Sequence, residues 1–232
     1  MRRSTPGVEG RGDLLPLPIA RAERHDPDRV IARLEPLVLE RRRERLREVI
    51  DRRLGSVAVC FDAPHDPHNG AAVIRSCEAF GVQAIHVVER AEGFLAAKSV
   101  ARGAQHWVDV FGHETGRSAI DALRAADYTM VSASADGDLL PEDLARIPRV
   151  AIVLGNERGG VAFDILAACT ARVRVPMRGF VESLNVSVTS AILLDHATRS
   201  RPGDLPEADK KRLYARGLYF SVERAEEVLA VP

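Results

Sequence analysis

Lysine is nearly missing from this chain: three of its 33 basic residues are lysine and 30 are arginine. Cysteine is scarce as well. Cys60, Cys77 and Cys169 are odd in number and widely spaced, with no CxxC pair. That argues against a disulfide framework or a zinc module and for a reducing compartment. No apolar run approaches the roughly 18 residues of a membrane span, and the opening MRRSTPGVEGRGD lacks the apolar core of a secretory signal. Net charge is absent too, since 33 acidic residues balance the 33 basic ones. This excludes a uniformly basic nucleic-acid glove but leaves room for a local patch. The expectation is a soluble cytoplasmic protein with no membrane partner. At 232 residues and 46% hydrophobic, it is long enough for a core without staples, as one domain with appendages or two small ones.

Charge is unevenly placed. Residues 1–55 hold 14 Arg against 10 acidic residues, and the surplus peaks in RRRERLREVIDRR, Arg41 to Arg53. The arginine bias as a whole fits a GC-rich genome. The cluster admits two readings. Arg41, Arg42, Arg43, Arg45, Arg52 and Arg53 are suited to phosphate, because guanidinium matches it bidentately. Alternatively, Glu44, Glu48 and Asp51 at helical spacing lace a solvated helix. The cluster alone does not choose between them.

Along the chain, prolines and glycines mark residues 1–27 as a flexible leader, and 28–54 read as a basic helical extension. Alternation then begins. Strands are expected at 56–61, 84–89, 107–111, 128–133, 149–154 and 171–176, with helices near 71–80, 114–126, 141–146, 161–169 and 184–199. This is the pattern of a parallel α/β sheet flanked by helices, here over 55–201. Two amphipathic stretches, 206–216 and 221–229, form a C-terminal helical extension over 202–232.

Open α/β sheets bind ligands beyond the carboxyl ends of their strands. Three loops so placed carry unusual residues: DAPHDPHNGAAVIRS, LGNERGG and VPMRGFVESLNVS. None is a Walker loop, a GxGxxG turn or a GxSxG elbow. His65 and His68 lack a third ligand nearby, so no metal is expected. Gly155, Gly159 and Gly160 allow a ligand or another backbone segment to come close. Taken singly, Ser183 reads as the N-cap of the helix at 184, Asn69 as the N-cap of the helix at 71, Arg75 as a surface arginine and Trp107 as core. Together the polar residues of the three loops suit an uncharged or zwitterionic ligand held by backbone groups.

PHNGAAVIRS, LGNERGGV and PMRGFVESLNVSVTSAILL, in that order, resemble the three signature motifs of the SpoU branch of the SPOUT RNA methyltransferases. ARGAQHWVDV is similar to the segment between motifs one and two. LPEADKKRLYARG resembles the C-terminal helix of the tRNA (guanosine-18-2′-O)-methyltransferases, the TrmH group. The similarity covers about residues 40–217. Gly70 and Ala71 depart mildly from the residues common after the motif-one asparagine, and the first 30-odd residues look additional.

The resemblance implies a C-terminal deep trefoil knot, a homodimer with its site at the subunit interface, and S-adenosyl-L-methionine as cofactor. It implies that Ser132, Gly155, Val175 and Leu184 hold the cofactor and that Asn69, Arg75, Glu157, Ser183 and Asn185 are catalytic. The substrate it implies is tRNA, with no DNA, and the reaction is methylation of a ribose 2′-hydroxyl, that of guanosine 18 first. It tips the Arg41–Arg53 cluster towards RNA. Because a guanidinium is effectively always protonated, Arg75 is expected to pair with substrate phosphate and stabilise developing alkoxide charge. Three alternatives stay open: a ribosomal 2′-O site, an inactive RNA-binding relative, and an unrelated small-molecule α/β enzyme.

Overall fold

The computed structural model describes residues 22–89, 103–156 and 159–230. Asp26 caps helix α1 (Pro27–Leu34), its side chain accepting from the amides of Asp28 and Arg29. Pro27 stands at the first helical position, where the missing N–H costs nothing. The leader reading therefore fails at its C-terminal end. Ala22 and Glu23 are helical and Ala22 is buried, while residues 1–21 lie outside the described residues. Helix α2 (Glu40–Asp51) follows, and strand β1 (Leu54–Asp62) begins one residue inside the span read as helical extension.

Among the described residues, six parallel strands then form one sheet: β1, β2 (Val82–Val88), β3 (Asp109–His113), β4 (Thr129–Ala133), β5 (Val150–Leu154) and β6 (Ala171–Val173). Their spatial order is β3-β2-β1-β5-β4-β6. The central strands are buried on both faces, as parallel strands covered by crossover helices must be. In β1 the side chains alternate between two cores. Val57, Val59 and Phe61 face one, beneath α3 (Pro67–Ala79) and α6 (Val186–Thr198). Ala58 and Cys60 face the other, beneath α4 (Gly116–Ala125) and α5 (Phe163–Ala168). A third core joins α1 and α2 to α7 (Glu207–Ser221) and α8 (Ala225–Ala230), through Val30, Leu34, Leu46, Leu213 and Leu218.

Two expected strands depart from their apolar patterns, one shifted and one shortened. The strand expected at 107–111 starts at Asp109, because Gly103 at φ 89° opens a 3-10 turn over 104–106 and Trp107 ends it. Trp107 thereby leaves the sheet and packs against the helical layer. The strand expected at 171–176 ends at Val173. There the pairing partner changes, and the Arg174 amide donates to the Leu139 carbonyl.

The helical layer is anchored to the sheet by charge. Asp109, 3% exposed at the foot of edge strand β3, receives Arg212 Nη2 on one carboxylate oxygen at 2.6 Å and Arg216 Nη2 on the other at 2.7 Å. Both arginines also bond Glu23. The linker into α7 is pinned beneath β1, where the Asp204 carboxylate accepts from the amides of Gly55 and Ser56.

His86, buried on β2, stacks on Phe111 and lies 3.0 Å, Nδ1 to Nε2, from His113. Burial first and His113 second push its pKa from 6.5 down to about 3. The unfolded chain therefore binds more protons below pH 6.5, and stability falls as the pH drops from there towards 3, with a slope of at most about 1.4 kcal/mol per pH unit from this group. Urea denaturation across that window should give a flatter pH profile for His86→Phe than for the wild type.

Candidate active site

The three loops singled out in the sequence leave the carboxyl ends of β1, β5 and β6. The first is fixed by Asp66, whose side chain accepts from the His68 amide and caps α3 with Pro67 at its first position. Asn69 is therefore not a cap; it stands in the first turn of the helix, half-buried. Asp66 takes the capping place because Pro67, which lacks an N–H to satisfy, starts the helix one residue later.

The third loop ends in a second cap, and it too is displaced from expectation. The cap of α6 is Asn185 rather than Ser183. Its Oδ1 accepts from the Ser187 amide at 2.8 Å and the Ser187 hydroxyl at 2.6 Å. Ser183 and Leu184 precede the helix, exposed. With its oxygen committed to the cap, Asn185 points its Nδ2 at Asn69 Oδ1, 3.0 Å away. One hydrogen bond thus joins two loops that are 116 residues apart in sequence. Arg75 lies exposed farther along α3.

The second loop folds back on itself. Asn156 and Gly160 exchange two backbone hydrogen bonds of 3.1 Å, and Asn156 Oδ1 accepts from the Gly159 amide at 2.7 Å. Any side chain at Gly155 would run into the backbone of Gly160 and Val161. Its smallness thus serves chain closure, and leaves main-chain groups lining the loop. Glu157 lies outside the described residues. Val175 is half-buried against the α3–α6 core. Ser132, at the end of β4, is completely buried beside Cys169, on the α4–α5 face. The whole residue is closed off from solvent and paired within the sheet to Val153 and Arg172.

The sequence reading missed Asp62. This carboxylate, 1% exposed at the end of β1, accepts from the Ala162 amide at 2.7 Å and fastens the start of α5 to the first loop. A charged residue ending the apolar run SVAVCFD was the available signal. Among the described residues, no group of three metal-ligating side chains converges, and no helix is long and apolar enough to cross a membrane.

The arginine cluster separates into classes. Arg53 was expected to contact RNA, and the structure corrects this. It is 2% exposed and its guanidinium bonds the Gln83 side chain and the Val82 carbonyl, so it is a structural residue under the sheet. Arg43 pairs with Glu40, and Arg45 and Arg52 both pair with Glu48 at 2.9 Å. Arg42 donates to Ser221 Oγ and lies over the Trp107 ring. Arg41 is exposed in the first turn of α2.

A parallel sheet flanked by helices, with three motif loops at the carboxyl ends of β1, β5 and β6 and two of them joined by the Asn69–Asn185 bond, defines the class as α/β. The chain belongs to the SpoU rRNA Methylase family, whose profile matches residues 56–195. It is 31% identical over 185 residues to the tRNA (guanosine(18)-2′-O)-methyltransferase of Escherichia coli, covering 75% of this chain and 81% of that one. It is 32% identical over 163 residues to the enzyme of the same name from Thermus thermophilus, covering 70% and 84%. Among solved structures, the A. aeolicus TrmH/SpoU tRNA modifying enzyme matches at a TM-score of 0.69 and 26% identity, over 80% of this chain and 98% of that one. The SpoU methyltransferase AviRb from Streptomyces viridochromogenes, in complex with AdoMet, matches at 0.56 and 26%, over 65% and 58%.

Asn185 both caps α6 and bonds Asn69, and substitutions can remove the second contact without the first. Asn185→Ala is expected to lower stability by about 1 kcal/mol through the lost cap, whereas Asn185→Ser keeps a good capping oxygen while falling short of Asn69. Guanidinium denaturation of the two variants should show the loss for alanine and near wild-type stability for serine.

Proposed function

We propose that this protein transfers the methyl group of S-adenosyl-L-methionine to the ribose 2′-hydroxyl of guanosine 18 in tRNA, as a cytoplasmic homodimer. The observation that carries the reading is the Asn69–Asn185 bond, which joins motifs one and three at the carboxyl edge of the sheet. Relatives named for this reaction align over most of the chain.

The residues at the strand ends fit the cofactor. Gly155 packs against the backbone of Gly160 and Val161, which folds the second loop tightly at the end of β5, and Val175 and Leu184 would offer backbone and apolar side chains from the third loop. Bound there, the cofactor would supply a sulfonium methyl for transfer. The chain's own part is to place and activate the hydroxyl. Asn69, Ser183 and Asn185 position substrate and methionine groups. Arg75 pairs with the substrate phosphate and stabilises charge developing on the ribose oxygen, a role that suits a permanently protonated fork. Arg41 and Arg42 are the members of the α2 cluster best placed for RNA backbone.

Two further features support the family architecture. The segment 134–139 lies on β6: Ser134 donates to Val173, Leu139 to Arg172, and a side chain at Gly137 would meet Val173 at 2.6 Å. This extends the parallel pairing of β4 with β6 beyond the strand ends; the trefoil knot of the C-terminal third is our reading from the family resemblance. Phe180, Val181, Leu184 and Val188 are exposed together before and within the first turn of α6. Apolar side chains exposed along one segment suit a second copy of the chain, whose groups would complete the surroundings of Arg75.

The deciding experiment offers labelled S-adenosylmethionine with unmodified tRNA transcripts carrying guanosine or 2′-deoxyguanosine at position 18. Transfer is expected to the first alone; equal labelling of both would move the target, and labelling of neither would refute the tRNA reading. Arg75→Lys keeps the charge and loses the planar fork. Its turnover is expected to fall at least tenfold while cofactor affinity by calorimetry stays within about twofold; parallel loss of both would count against the phosphate role.

A further inference from the structure

Of the large apolar side chains exposed among the described residues, Phe163 stands apart. Phe180, Val181, Leu184 and Val188 are neighbours on one segment, and Leu37 and Leu39 adjoin each other ahead of α2. Phe163 is 86% exposed and alone, between half-buried Ala162 and exposed Asp164. A contiguous apolar patch matches a protein partner, whereas a single exposed ring matches one planar partner.

The ring's mount is rigid. Phe163 is the first residue of α5, and the amide just before it, that of Ala162, is held at 2.7 Å by the buried Asp62 carboxylate. Asp62 ends β1, the strand that leads through His65 and Asp66 into Asn69. Phe163 comes three residues after Gly160, which closes the glycine hairpin of the second motif. The adjacent Asp164 carboxylate lies against Gly116, at the start of α4, where a helix N-terminus favours negative charge. An aromatic face is thus fixed at the rim of the catalytic loops, on the α4–α5 side of the sheet and opposite the α3–α6 side that carries Arg75 and the apolar patch.

We propose that Phe163 is a positioning residue that stacks on an unpaired nucleobase of the RNA substrate flanking the target nucleotide. The proposal rests on the RNA methyltransferase reading. Sequence-tolerant stacking of splayed bases on aromatic rings is the usual means of holding single-stranded RNA. A ring so placed would hold the loop open around the target nucleotide without touching the reacting atoms.

The test uses the full chain. Phe163→Ala is expected to raise KM for tRNA transcript roughly 5- to 150-fold, the range for losing one stacked base, with kcat within about threefold and KM for S-adenosylmethionine unchanged. Phe163→Tyr should restore KM. In a Trp107→Phe background, Phe163→Trp supplies a single fluorophore whose emission should be quenched on adding tRNA. An unchanged KM in the alanine variant of an enzyme that methylates tRNA overturns the proposal and leaves the activity reading intact. A change in sedimentation between wild type and Phe163→Ala also overturns it, by making the ring a contact between copies. Should the wild type methylate no RNA, the activity reading falls, and absence of quenching by tRNA then removes the stacking role as well.

Discussion

A buried carboxylate between two arginines holds the two parts of this molecule together. Asp109 sits at the foot of the edge strand with Arg212 and Arg216 on its two oxygens, and Glu23 closes the cluster from the other side. Burial alone would lower the Arg212 pKa, but Asp109 and Glu23 outweigh it and raise it. Removing one partner from such a cluster typically costs about 3–5 kcal/mol, because the remaining charges stay buried and uncompensated. The terminal helices contribute their own core of Val30, Leu34, Leu46 and Leu213. Their placement beneath β3 follows from these ions, and with it the setting of α2 and its arginines.

The sheet supplies the second constraint. Parallel strands deliver every connecting loop on the same side to one edge, so residues from motifs far apart in sequence meet there without a dedicated scaffold. What refines the meeting is capping. Asp66 fixes the start of α3 and Asn185 the start of α6, and each orients a helix whose first turn carries or adjoins a site residue. The bond between Asn69 and Asn185 is then made by side chains with few other conformations open to them. Helix stability and site geometry are coupled through a handful of atoms.

Much of this was legible in the sequence. The alternation of apolar runs with helical periods placed all six strands and every long helix, since parallel strands buried on both faces leave unbroken runs such as SVAVCF and RVAIVL. Asn69 and Asn185, chosen from motifs, do come together. The misses share a cause: they turn on tertiary partners. Trp107 looked like strand because its neighbours are apolar, but a left-handed glycine four residues earlier turned it into the helical layer. Arg53 looked like its exposed neighbours, and only the packing of β2 shows it spent on Gln83. The wrong caps, Asn69 and Ser183, arose because several small polar residues precede each helix and only the first amides' partners decide among them.

The position of α2 has a consequence for what the protein can grip. Its C-terminal end adjoins Gly81, ahead of β2, and Arg42 lies over Trp107, ahead of β3, so the helix runs across the amino ends of the strands. The Asn69–Asn185 pair stands at their carboxyl ends. Between the two lies the length of β1, nine residues or about 30 Å at the usual rise. Within one protomer the α2 arginines and the Asn69–Asn185 pair are therefore held at opposite ends of the sheet, and a ligand that touches both must span that length.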